Sequence, residues 1–202
     1  MSTPGRPKGE YRSAQHEGTP VSAVDSDALV LKRTQHWLER AVIGLNLCPF
    51  AKAVHQKKQI RWVVSPARTR ERLLAQLALE MRDLHHGDAA IVDTTVLIHP
   101  QVLRPFARYN EFLDLAEGLL GAMKLDGVLQ IASFHPQYRF AGLAASDVAN
   151  CSNRSPYPML HLLREASVER AVQAFPDAAQ IYERNMQTLR ALGWDGWQQR
   201  VR

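Results

Sequence analysis

Cysteine is nearly missing from this chain. Cys48 and Cys151 are the only two in 202 residues. That excludes a disulfide framework and a cysteine-only zinc site, and it fits a reducing compartment. Long apolar runs are missing as well; the longest are strand-sized, far below what a bilayer span needs. The N-terminus, Met1-Ser2-Thr3-Pro4-Gly5-Arg6-Pro7-Lys8, is polar and has no apolar leader core. A cytoplasmic protein without a membrane partner is therefore expected. No dense basic run occurs either. The formal charge of +5 is carried by arginines scattered among acids, as in Arg68-Thr69-Arg70-Glu71-Arg72. This reads as a solvated face, so no nucleic-acid partner is expected. The glycines are isolated and lack the spacing of a phosphate loop or a dinucleotide fingerprint.

What is present suits one α/β domain over residues 26–202, behind a polar tail over 1–25 that has little to bury and reads as disordered. Asp25, Ser26 or Asp27 caps a first helix carrying Val30, Trp37, Leu38, Ala41, Val42 and Leu45 at helical spacing, and Pro49 ends it. Ile60–Val64 reads as a strand. Ser65-Pro66 reads as the start of a helix through Leu73, Leu77, Met81 and Leu84 that stops at Gly87. Thr94–Ile98 is apolar enough to be a central strand. A strongly periodic helix runs from about Pro105 to Asp126-Gly127, and a third strand covers Val128–Phe134. A long irregular stretch, 136–154, follows; loops of this length are often functional. A fourth strand could lie at Tyr138–Phe140. Ser155-Pro156 reads as opening a short helix through Leu160, Leu162 and Leu163. Ser167 reads as a further cap, and Pro176-Asp177 as the start of a last helix that ends at Gly193. The alternation predicts an α/β fold: a small, largely parallel sheet of three to four strands flanked by about six helices.

Two strands end alike, in Ile98-His99-Pro100 and Phe134-His135-Pro136. In a parallel sheet both imidazoles leave the carboxyl edge, where ligands of open α/β sheets collect. Histidine suits proton transfer and metal binding near neutral pH, so His99 and His135 are candidate catalytic groups. The alternative is that His-Pro merely ends a strand and each imidazole bonds a nearby carbonyl. Arg154 beside a helix opened by Ser155 would form an anion site, with Asn153 and Tyr138 as further candidate substrate contacts. His161 and Glu165 would share a face of that helix. His161 with His99 and His135 could then hold a divalent transition metal. Cys48 could serve as a nucleophile if its pKa were lowered, or it is a small buried residue.

The segments Arg40–Ala51, Asp93-Thr94-Thr95, Ser133-Phe134-His135-Pro136, Asn153-Arg154-Ser155-Pro156-Tyr157-Pro158 and His161–Glu165 resemble the bacterial domain of unknown function numbered 1415. The likeness runs from about residue 29 to 197. It implies no activity or cofactor, but its motifs contain Cys48, His135, Arg154 and His161. Three readings stay open. The first is a small-molecule enzyme for hydrolysis or group transfer, with a His/Arg pocket at the carboxyl edge. The second is a non-catalytic module binding an anionic metabolite. The third is a partner-binding protein with an apolar surface.

Overall fold

The strands β1 (Ile60–Val64), β2 (Thr94–Ile98), β3 (Leu129–Phe134) and β4 (Met159–Arg164) form one sheet in the order β1-β2-β4-β3. The computed structural model describes residues 25–174 and 180–201. Most of the expected tail and the helix start at Pro176-Asp177 thus lie outside the described residues. β1 pairs parallel with β2, while β4 pairs antiparallel with both β2 and β3. The sheet is therefore mixed, not largely parallel. The correction lies at 159–164, where a strand replaces the expected helix. Met-Leu-His-Leu-Leu-Arg is too short an apolar run for periodicity to decide between helix and strand. Threaded between β2 and β3, it places Leu160 and Leu162 on one face and Met159 on the other, and both faces are buried. Tyr138–Phe140 forms no strand.

Six α-helices accompany the sheet among the described residues: α1 (Asp27–Trp37), α2 (Ala51–Gln56), α3 (Arg70–His86), α4 (Phe106–Ala122), α5 (Glu165–Gln173) and α6 (Ile181–Val201). One face of the sheet packs against α3 and α4 through Leu73, Leu77, Met81, Tyr109, Phe112 and Ala116. The other packs against α1 and α6 through Val30, Trp37, Leu189 and Trp197. Both crossovers from β1 and β2 thus land on the same face. Thr69, not Ser65, caps α3 by accepting from the Arg72 amide. Ser65 instead extends the sheet, its N–H donating to the Ile98 carbonyl. Ser167 lies inside α5 and donates to Asp93. Gly193, with φ 69°, interrupts α6 as expected, and a second helical segment follows it to Val201.

α1 is capped by Ser26 and runs into a π-helical segment, Leu38–Ile43. That wider turn directs the Gly44 N–H to the Glu39 carbonyl at 3.0 Å, five residues back. It also closes the space beside Gly44, where an added Cβ would collide with the Arg40 carbonyl oxygen. Backbone atoms cannot step aside as a flexible side chain would. Gly44→Ala is expected to destabilise the fold by about 1–3 kcal/mol, read as a lower urea midpoint at unchanged slope. A wild-type midpoint in that variant would show that the π-helical turn is not held as described.

Candidate functional site

Although the sheet is mixed, β2 and β3 both run against β4 and so point the same way. His99 and His135 consequently leave one edge, where His99 extends the β2–β4 ladder by a residue and His135 bonds the loop before β4. The His99 N–H donates to the Pro158 carbonyl at 3.0 Å and the His135 N–H to the Asn153 carbonyl at 3.1 Å. Both side chains turn toward α4 and meet the same ring. Tyr109 stacks on His99 at 5.8 Å between centroids and lies 5.0 Å from His135. The Tyr109 hydroxyl donates to the Met159 carbonyl and accepts from the Phe134 amide, so it ties α4 to the ends of β4 and β3.

Both histidines are fully buried. His99 Nδ1–H donates to the Val102 carbonyl at 3.1 Å; this partner fixes the tautomer. Its Nε2 is buried without a partner among the described residues. Burial drives the His99 pKa down to about 4. His135 Nε2–H donates to the Leu103 carbonyl at 3.2 Å, and its Nδ1 accepts from the Gln137 amide. Burial lowers this pKa also. Each imidazole is therefore neutral near pH 7, and together they grip consecutive carbonyls of one loop, 99–105. Leu103 in that loop has φ 57°, a left-handed conformation that costs a side-chain-bearing residue roughly 1–3 kcal/mol and persists only when its surroundings hold it. The two histidines supply that hold.

The other candidates do not join them. His161 lies on β4, not on a helix with Glu165. Its register partners are Val96 and Ala132, which places it on the face toward α1 and α6. There it donates from Nε2 to Thr94 Oγ1, which in turn donates to the Leu162 carbonyl. Burial lowers its pKa to about 4. The proposed set of His99, His135 and His161 is thus split across the sheet. Among the described residues no three His, Cys, Asp or Glu side chains converge as metal ligands. Cys48 packs in the cluster with α1 and α6, and burial raises its thiol pKa, which is the wrong direction for a nucleophile. Burial likewise raises the Cys151 thiol to about 11. The helix expected after Ser155 is absent, so its N-terminal dipole is too. Ser155 Oγ donates to the Tyr157 carbonyl, Asn153 to the Ser133 carbonyl, and Arg154 to the carbonyls of Tyr138 and Ala145. The Tyr138 hydroxyl accepts from Ser133 Oγ at 3.5 Å. These groups fasten the 136–154 stretch to β3.

The loop gripped by the histidines forms a wall of a cleft of about 420 Å³. The cleft opens where the N-terminal ends of α3 and α4 lie side by side. Arg68 and the capping Thr69 contribute from just before α3, Arg70 from its first turn, and Arg108 and Glu111 from α4. Val102, Leu103, Pro105, Phe112 and Leu115 make the rest of the wall apolar. Three arginines and one glutamate thus line the cleft. Arg108 pairs with Glu111 at 3.3 Å and Arg70 with its neighbour Glu71 at 2.8 Å. Arg68 has no ion-pair partner among the described residues. The first-turn amides of a helix lack intrahelical acceptors, and Thr69 Oγ1 takes only that of Arg72. Sequence reasoning passed over Arg68 and Arg70 as a solvated face. Their position between the first strand of a parallel pair and its crossover helix was the signal available for them.

The family model described as protein of unknown function (DUF1415) matches residues 29–199. No curated protein and no solved structure matches the chain.

Proposed function

The chain belongs to the DUF1415 family, and we propose that it is a non-catalytic module that binds a small amphipathic anion in the cleft between the N-terminal ends of α3 and α4. The observation that carries this reading is the concentration of Arg68, Arg70 and Arg108 around a cleft whose remaining wall is apolar. A carboxylate or phosphate would meet guanidinium groups and the amide end of α3. An alkyl or aromatic body would lie on Leu103, Phe112 and Leu115. The same side chains give less support to hydrolysis or group transfer through His99, His135 and Cys48. Three of the four imidazole nitrogens are committed to backbone groups, and neither ring reaches solvent. His99 and His135 act as positioning residues for the wall.

The test is a thermal-shift titration with octanoate and with inorganic phosphate, ionic strength being held constant with chloride. Octanoate is expected to raise the Tm saturably and at lower concentration than phosphate, because it also covers the apolar wall. Arg68→Glu is expected to remove the shift while leaving the unliganded Tm within about 0.5 kcal/mol equivalent of wild type, Arg68 being an exposed surface residue. An unchanged titration in Arg68→Glu would remove the site.

A further inference from the structure

A second cleft, of about 290 Å³, opens at the same edge on the opposite face of the sheet, and nothing in the anion reading uses it. Trp37, Trp194 and Trp197 line it, with Pro136, Pro156 and Arg154. Three of the four tryptophans in the chain therefore gather at one opening. Flat indole and proline walls favour a flat apolar guest, since aromatic rings gain from stacked and edge contacts beyond the area they bury. Among the described residues no carboxylate lines the cleft. Its polar members are Arg154, Ser155 and Gln198.

Arg154 supplies the charge. Its guanidinium carbon lies 5.3 Å from the centroid of the Trp194 ring. It donates to two neutral carbonyls and meets the Cys151 thiol, and no carboxylate pairs with it among the described residues. Asp147, which together with Arg154 acts on the Cys151 thiol, is held by Arg190 at 2.9 Å. A half-buried guanidinium that is oriented by carbonyls, stacked on an indole and left without a counter-ion is set up to receive an anion. Trp37 is itself buried, so it offers the cleft a fixed ring surface.

We infer that this cleft is a binding site for a planar aromatic carboxylate, its ring against the indoles and its carboxylate at Arg154. The inference is independent of the anion site on the α3–α4 face.

The indole N–H resonances test it directly, because Trp62 does not line the cleft and serves as an internal reference. The protein is titrated with benzoate, and in parallel with cyclohexanecarboxylate and benzamide. Benzoate is expected to shift the N–H signals of Trp37, Trp194 and Trp197 saturably and to leave Trp62 in place. The two controls, lacking either the flat ring or the charge, should bind about tenfold more weakly or not at all. Arg154→Gln should abolish the shifts. Because Arg154 also holds the 136–154 stretch, Gln198→Glu provides the second variant. It places a carboxylate on the exposed rim and should weaken benzoate about tenfold without touching that stretch. Arg68→Glu should leave the benzoate titration unchanged, which separates this site from the other cleft. Absent shifts at millimolar benzoate, shifts shared equally by Trp62, equal binding of the controls, or a Gln198→Glu titration identical to wild type would each overturn the inference.

Discussion

Tyr109→Phe is expected to lower the unfolding free energy by about 1–3 kcal/mol, and Tyr109→Ala by about 3–5 kcal/mol. The first figure follows from two backbone groups. The Tyr109 hydroxyl donates to the Met159 carbonyl at 2.9 Å and accepts from the Phe134 amide at 3.0 Å. β3 ends and β4 begins at this point, where Phe134 and Met159 are register partners. Phenylalanine keeps the ring and removes both partners at once. The second figure adds the loss of a ring that is fully buried and in contact with His99, His135 and Phe106. The two variants should also differ at the cleft. Tyr109→Phe leaves the histidine stack in place, so octanoate should still bind. Tyr109→Ala removes the surface on which both imidazoles rest, and with it the grip on Val102 and Leu103. Urea unfolding measures the first effect and the octanoate titration the second. A Tyr109→Phe variant as stable as wild type would mean that water or relaxed backbone satisfies those groups.

Mild acid should destabilise the protein well before its carboxylates titrate. Burial takes His99 from an ordinary histidine pKa near 6.5 to about 4 in the folded state. The unfolded chain therefore binds more protons than the folded one throughout that interval, so stability rises with pH across it and is lost as pH falls from 6.5 toward 4. By about pH 5 the loss from His99 alone amounts to roughly 2 kcal/mol. His161 and His135 shift in the same direction and deepen the loss. Asp147, held low by Arg190, acts in the same sense only at lower pH. Urea midpoints measured between pH 7 and 5 should fall steadily. His99→Asn, which can still donate to the Val102 carbonyl, should flatten part of that slope. A midpoint independent of pH across this range would contradict the burial of neutral imidazoles.

Much of the fold was legible because the apolar pattern was long enough to declare its period. β1 and β2 lie where the β-branched runs placed them, and α3 and α4 carry the expected inward faces. The failure at 159–164 had a local cause. Six residues with leucines at 160, 162 and 163 satisfy either period, and Ser155-Pro156 imitates a helix start. Only the pairing of Leu160 with Leu97 and Ser133 decides the matter, and pairing is not written in a single segment. The His-Pro repeat did mark the carboxyl edge, for a reason that survives the mixed sheet, namely the common direction of β2 and β3. What the sequence could not convey was depth. His99, His135 and Cys48 look reactive as residue types, yet the structure buries the two rings among Tyr109, Phe106 and a loop. The exposed chemistry at that edge belongs to Arg68, Arg70 and Arg108, which ordinary charge patterning does not distinguish from a solvated surface.

The most direct measurement is an amide chemical-shift map of the full chain during an octanoate titration. Saturable shifts confined to the amides of Thr69–Arg72, Val102–Phe106 and Arg108, and lost in Arg68→Glu, are the result predicted. Shifts dispersed over the surface, or centred away from the facing ends of α3 and α4, would contradict the assignment of that cleft.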